Sequence, residues 1–341
     1  MKALFIGLGG IGQRHLRNLR ALHPDAEIAA IRVRGRSFEI GDDLRPDHSV
    51  DIIDKYGITC LSDMDQALAW IPDLAIVANP SSLHVATAQP LLAAGIPVLL
   101  EKPIACDAAG AQSLLATARH TGTPIMVAFT LRLHPAVQTM LDWLQQGMVG
   151  RISSAQAICH NHLPHNHSYE PWTEFYLGRR DLGGGAILSE THTIDLVHAA
   201  FGLPRALWCR GGQLGRHACD VEDTASALLD YGFPVSLHVS MVERPVKRLL
   251  TIHGDEGCLS CDPLSGQTRF CGPGGDRLFD ASSVTLASLY PLQMQVFLDM
   301  VQQRQPSVLS LDKVIGGQTL AAAMLESLLQ GTVISCADPR P

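Results

Sequence analysis

The run Gly7-Leu8-Gly9-Gly10-Ile11-Gly12 does most to restrict what this chain can fold into. It follows a short apolar stretch, Ala3–Ile6, and leads into an amphipathic one, Gln13–Leu22. Glycines in G-x-G-x-x-G order between a strand and a helix permit a tight turn and let a pyrophosphate approach the free N–H groups of the helix start. Gly7, Gly9, Gly10, Ile11 and Gly12 are therefore the expected phosphate-end contacts of a dinucleotide.

The next hundred residues keep the rhythm of that first unit. Apolar runs at Glu27–Val33, near Cys60, at Leu74–Ala78, Val98–Leu100 and Ile125–Ala128 read as strands. Met64–Trp70, Leu83–Ala94 and Ala108–Thr121 read as the helices between them. Gly95-Ile96-Pro97 and Gly122-Thr123-Pro124 punctuate helix to strand. This alternation predicts a doubly wound, parallel Rossmann-type α/β domain over residues 1–130.

After Pro135 the pattern changes. A helix at Ala136–Gln146 is followed by strands at Ile152–Cys159, Ala206–Leu214, Thr224–Asp230, Val235–Val242, Arg248–His253 and Cys258–Asp262, without regular helices between them. That predicts an α+β domain over residues 131–341 built on a large open, mostly antiparallel sheet. One helical patch, Ala186–Phe201, interrupts it, and helices at Leu292–Gln303 and Asp312–Leu329 pack back at the end. An open sheet leaves a face to be covered, which predicts a homo-oligomer, a dimer or tetramer.

Composition removes several partners. The 26 Lys plus Arg are outnumbered by 33 Asp plus Glu, giving a formal net charge of −7, so a basic footprint for nucleic acid is missing. Neither an export signal nor a run of apolar residues long enough for a bilayer is visible, and the expected compartment is the cytoplasm. Nine scattered cysteines read as buried thiols in a reducing compartment. Cys258 and Cys261 have C-x-x-C spacing but no second pair. The histidines of His160-Asn161-His162-Leu163-Pro164-His165-Asn166-His167 crowd an interrupted, proline-containing loop. Neither is taken as a metal site.

Where an acid would hold the adenosine ribose, about 20 residues past the glycines, this chain has Arg32 in Ile31-Arg32-Val33-Arg34-Gly35-Arg36. An Arg there can accept a 2′-phosphate, so NAD and NADP both remain open, NAD being favoured for an oxidative role. Glu101-Lys102-Pro103 falls at the C-terminal end of a predicted strand, where doubly wound sheets place ligands. Gly183-Gly184-Gly185 runs into the helical patch that carries His192 and Asp195 three residues apart, on one face. Those glycines admit close approach of another body to the helix start.

Together with Asn79-Pro80-Ser81-Ser82-Leu83-His84, Phe129-Thr-Leu-Arg132-Leu-His-Pro135 and Thr251-Ile-His-Gly254-Asp-Glu-Gly257, these motifs resemble the glucose–fructose oxidoreductase, inositol dehydrogenase and rhizopine catabolism (Gfo/Idh/MocA) family over essentially the whole chain. The resemblance implies an NAD(P)-dependent sugar dehydrogenase in which Lys102 and His192 act on a sugar hydroxyl. It implies cofactor contacts from Asn79, Pro80, Ser81, His84, Glu101 and Lys102 beside the glycines and Arg32. It places Arg132, Tyr176, Arg179, His192 and Asp195 at the substrate; Arg179 and Arg180 suit a diphosphate. Tyr169 and Trp172 are either core or sugar-stacking groups. The spacing and the loop from His162 to Arg179 resemble enzymes of surface-polysaccharide or lipid A pathways. The implied substrate is a nucleotide sugar such as UDP-N-acetylglucosamine, oxidised at C3. A free sugar or inositol dehydrogenase, and a cofactor-binding sensor without chemistry, are the alternatives. Many members carry an Asp one turn before the His; here Leu188 and Ser189 stand there, with Glu190 adjacent.

Overall fold

A computed structural model describes residues 1–32, 35–163, 169–303 and 305–336. The sequence expectations for Val33, Arg34, Pro164, His165, Asn166 and His167 lie outside the described residues.

The first part of the chain runs β1 (Lys2–Ile6), α1 (Gly10–Leu22), β2 (Glu27–Ile31), β3 (Phe38–Ile40), β4 (Pro46–Asp51), α2 (Ile52–Tyr56), β5 (Ile58–Leu61) and α3 (Met64–Ala69). It continues through β6 (Leu74–Val77), α4 (His84–Ala93), β7 (Val98–Leu100), α5 (Ala108–Thr121) and β8 (Ile125–Val127). Six of these strands pair in parallel in the order β5-β2-β1-β6-β7-β8, the doubly wound sheet that the alternation predicts. Its central strands are apolar throughout because helices cover both faces: Leu4, Phe5, Ala75, Ile76, Val98 and Leu99 have no measurable exposure. The order of strands reverses between β1 and β6, and Gly7 and Asn79 follow those two strands.

The β3–β4 hairpin has no counterpart in the sequence reading. Its polar, half-exposed strands carry no apolar alternation, and it is held from outside. The buried Gln13 amide donates to the carbonyls of Leu8 and Phe38 at 3.1 Å and accepts from the Ile40 N–H at 2.7 Å.

The second part runs α6 (Pro135–Gln145), β9 (Ile152–His162), α7 (Ala186–Ser189), α8 (Thr191–Phe201), β10 (Ala206–Gly212), β11 (Thr224–Asp230) and β12 (Pro234–Ser240). Then come β13 (Val242–Gly254), β14 (Gly257–Asp262), β15 (Gln267–Cys271), β16 (Arg277–Asp280), α9 (Leu289–Gln303), α10 (Leu311–Gln330) and β17 (Ile334–Ser335). Nine strands form one open sheet, β16-β15-β14-β13-β9-β12-β11-β10-β17, antiparallel except at β12–β9. Alternate residues along it, among them Ala157, Cys159, Leu237, Val239, Leu250 and Ile252, enter a core shared with α8 and α10.

The closing helices join the two parts. Phe297 and Leu298 of α9 and Leu311 and Val314 of α10 pack into the core of the first sheet. Leu320, Ala321 and Met324, further along α10, pack into the core of the second.

Candidate active site

At the dinucleotide end, Gly7 has φ +95°, and a Cβ built on it would lie 2.6 Å from the Ala78 carbonyl oxygen. Only glycine lets β1 and β6 close in this way. Gly9, by contrast, has nothing within 4 Å of a built Cβ. The α1 N-terminus that it begins is capped by no side chain and carries no acid in its first turn. An open cradle at an uncapped helix start fits a pyrophosphate.

Asn79 donates its amide to Thr87 Oγ1 at 2.9 Å, while its Oδ1 is enclosed with no partner. That orphaned acceptor beside the strand reversal suits a cofactor carboxamide or ribose hydroxyl. Arg32 Nη1 is likewise enclosed and unpartnered. Arg36 is already engaged, bonding Glu170 at 3.0 Å across from the second part of the chain.

His84 and Ser81 are buried, at 1% and 3% exposure. His84 Nδ1 lies 2.7 Å from the Pro103 carbonyl and Nε2 lies 3.0 Å from that of Asn79. Desolvation lowers its pKa against the pull of both carbonyls; a neutral ring donates to only one of them, and wedged between the two it braces the loops after β6 and β7 against each other. His84 thus supports the loops at the end where a cofactor contact is expected of it. Glu101 is held from α1, with Oε1 2.7 Å from His15 Nε2, and its Oε2 accepts the Lys102 backbone N–H at 3.2 Å. The Ile104 N–H donates to Gln318 Oε1 of α10 at 3.0 Å. Lys102 therefore stands on a segment tied both to α1 and to α10.

The helix expected over Ala186–Phe201 is broken at Glu190, whose φ of −98° and ψ of 27° separate α7 from α8. Thr193 N–H bonds the carbonyl of Glu190 instead of that of Ser189. The Ser189 carbonyl is released from the helical ladder and accepts a hydrogen bond from Lys102 Nζ at 2.8 Å. Glu190 itself turns to Arg248, Oε2 to Nη2 2.7 Å, and accepts from Cys159 Sγ and from Asn161 Nδ2. Among the candidates for the role of the missing Asp, Ser189 reaches Lys102 through its main chain and Glu190 acts on it through space.

The glycine turn before α7 meets the nucleotide-binding part. A Cβ on Gly183, at φ +79°, would lie 2.8 Å from Ser81 Cβ and 2.6 Å from Cys106 Sγ. The body that approaches the helix start is thus the loop after β6. His192 packs edge-on against Phe129 with ring centroids 5.8 Å apart. Its Nδ1 is enclosed and unpartnered, which leaves Nε2 as the nitrogen a ligand can reach.

Burial holds the His192 pKa well below that of free imidazole, and the positive charges of Lys102 and Arg248 lower it further. The ring is neutral and able to accept a proton. Burial lowers the Lys102 pKa, which Glu190 and Glu101 partly restore. Tyr176 faces the same group of charges; burial first, then Glu101, raises its phenol.

Arg132 and Asp195 are partners of one another. They face each other, Nε to Oδ2 2.6 Å and Nη2 to Oδ1 2.8 Å, with Asp195 1% exposed. A buried carboxylate must keep its cation, so this pair locks α8 to the Thr130–Leu133 turn. Arg179 pairs with Asp181, Nε to Oδ1 3.0 Å, and Arg180 donates to the Asp220 carbonyl at 2.8 Å.

The sequence reading missed His15, Arg248, Cys159 and Glu222. Arg248 had a signal: with period 2 it shares the inward face of β13 with Leu250 and Ile252. Glu222 accepts the Ile187 N–H at 3.1 Å at the start of α7, and burial pushes its pKa up to about 7.

Residues 1–129 match the family described as "Oxidoreductase family, NAD-binding Rossmann fold" (GFO_IDH_MocA), and residues 137–260 match its C-terminal domain. The chain belongs to the Gfo/Idh/MocA oxidoreductase family. As a member it is an NAD(P)-dependent dehydrogenase. It is 26% identical over 282 residues to bovine (Bos taurus) trans-1,2-dihydrobenzene-1,2-diol dehydrogenase, covering 80% of this chain and 78% of that one. It is 29% identical over 275 residues to a putative UDP-kanosamine synthase oxidoreductase subunit of Amycolatopsis mediterranei, covering 74% and 72%. In fold it is similar to the WlbA dehydrogenase from Bordetella pertussis, solved with NADH and UDP-GlcNAcA: TM-score 0.81, 19% identity, 98% of each chain. No helix among the described residues is long and apolar enough to cross a membrane.

Proposed function

We propose that this dehydrogenase moves hydride between NAD(P) and a secondary hydroxyl of a sugar carried on a nucleotide, with UDP-N-acetylglucosamine and its 3-keto product as the favoured pair. The observation that carries the reading is the bond of the Lys102 ammonium to the Ser189 carbonyl, which ties the segment after β7 to the chain three residues before His192. The relative named as part of a UDP-kanosamine synthase, and the WlbA enzyme solved with UDP-GlcNAcA, support a nucleotide sugar.

Bound NAD(P) supplies the hydride acceptor. The chain supplies the rest. His192 accepts the hydroxyl proton at Nε2. Lys102 keeps one of its three protons on Ser189 and turns the others toward the developing oxyanion. Tyr176, Glu101 and Glu190 complete the charge field. A positioned base contributes typically about 10² to 10⁴-fold and an oriented oxyanion donor about 10² to 10³-fold.

One observation favours a free sugar, polyol or diol instead: Arg179 and Arg180 are already engaged with Asp181 and Asp220, which leaves less for a diphosphate. The bovine relative named for a diol agrees with that alternative. The dividing test is a screen of nucleotide sugars, free sugars and inositols for reduced-nicotinamide absorbance, with NAD and NADP in parallel and with UDP alone as a thermal ligand. Turnover of UDP-sugars and protection by UDP support the first reading. Turnover of free polyols without UDP protection replaces it, and cofactor binding with no reduction by any sugar points to a sensor.

Oligomerisation is part of the proposal. Trp208 and Leu228, paired across β10 and β11, are 43% and 55% exposed on the outer face of the open sheet, an apolar surface that a second copy would cover.

A further inference from the structure

The sheet that supports the active site carries a second cluster on its other face. Cys159 points inward to Glu190; His160, the next residue of β9, points outward. There it meets His238 of β12 and Glu243 of β13. Their donor atoms lie within 4.8 Å of one another: His160 Nε2 to Glu243 Oε2 3.2 Å, His238 Nε2 to the same oxygen 3.0 Å. The rings stand edge to face, centroids 5.3 Å apart.

We propose that His160, His238 and Glu243 form a binding site for a borderline divalent transition metal, Zn2+ foremost, separate from the catalytic centre. Bonds of about 2.0 to 2.1 Å at tetrahedral angles put neighbouring ligand atoms about 3.3 Å apart, so both His–Glu spacings already match two edges of such a polyhedron. Two imidazoles and one carboxylate with a fourth position open to solvent are a donor set that zinc accepts. The orientation of His238 is fixed from behind, its Nδ1 2.7 Å from Ser226 Oγ, as a ligating histidine requires.

The position explains what a metal would do. Between Val242 and Lys247 the β13–β9 register slips, and Glu243 sits in that irregular stretch. An ion shared by β9, β12 and β13 would pin three strands where the ladder fails. Its loss would lower stability and leave turnover per folded enzyme unchanged.

The test uses tag-free protein dialysed against Zn2+ and, separately, Co2+. Expected are about one equivalent of metal per chain, the visible bands of four-coordinate Co2+, and a thermal midpoint that rises with free zinc. Ser226→Ala should weaken affinity about 10 to 100-fold. His238→Ala and Glu243→Gln should remove the stoichiometric site and the Co2+ bands, whereas His162→Ala should leave both. Circular dichroism confirms that each variant is folded. No stoichiometric metal in the parent protein, or metal retained by His238→Ala and Glu243→Gln together, overturns the proposal. In that case the three side chains are a hydrogen-bonded cluster only.

Discussion

Lys102 Nζ donates 2.8 Å to the main-chain carbonyl of Ser189, a carbonyl made available because the helix before His192 breaks at Glu190. The ammonium is thereby aimed by backbone, and its charge is balanced through space by the Glu190 carboxylate.

Removing that carboxylate has a signed consequence. Glu190 raises the Lys102 pKa against burial, so Glu190→Gln lowers it further. The protonated Lys that stabilises an oxyanion is then lost at lower pH. The alkaline limb of the kcat profile moves to lower pH, read from rates at saturating substrate across pH 6 to about 10. Lys102→Met and His192→Asn should each cost at least about 10²-fold in kcat while NADH still binds, followed by fluorescence.

Arg132→Met leaves Asp195 buried without its cation. Breaking such a pair typically costs about 3 to 5 kcal/mol. Burial already raises the Asp195 pKa, and loss of Arg132 raises it more. An acid whose folded pKa lies above its unfolded one is stable when protonated and loses that stability as pH rises through the folded value. Urea unfolding should therefore show a larger deficit at pH 8 than at pH 5. An equal deficit would mean that the pair is not what holds α8.

Glu222 gives a window of its own. Its pKa is about 7 folded against 4.5 for a free Glu. Stability from this residue is complete below pH 4.5 and fades between there and about 7, by on the order of 3 kcal/mol. Glu222→Gln keeps an acceptor for the Ile187 N–H and removes the titration. The difference in unfolding free energy between variant and parent should grow in favour of the variant over that interval.

Arg32 decides cofactor choice if its unpartnered Nη1 receives a 2′-phosphate, since Arg36 is taken by Glu170. A hydrogen bond to a charged group contributes about 1.5 to 3 kcal/mol. Arg32→Glu should then lower kcat/KM for NADP at least about 10-fold more than for NAD. Equal losses with both cofactors would take the residue away from the ribose.

The parallel sheet was legible because a strand covered on both faces is apolar along its length, and Leu74–Ala78 and Val98–Leu100 announce themselves in that way. The β3–β4 hairpin was not, since its stability comes from Gln13 and from Arg17 donating to the Ile40 carbonyl. Lys102 and His192 were found by motif. What they touch was hidden, because local periodicity runs straight through Glu190, and the break belongs to Arg248, some sixty positions later in the chain. The pairing of Arg132 with Asp195 was hidden because a sequence shows charge without showing its partner.

The helix α10 lies in both hydrophobic interiors, and among the described residues only strand β17 follows it. During synthesis the glycine cradle and the broad sheet emerge long before the rod that sets their mutual angle. Helix α10 must therefore have left the ribosome before a working cleft can exist, and a shortened product ending ahead of Leu311 would leave the two bodies each with a gap in its interior.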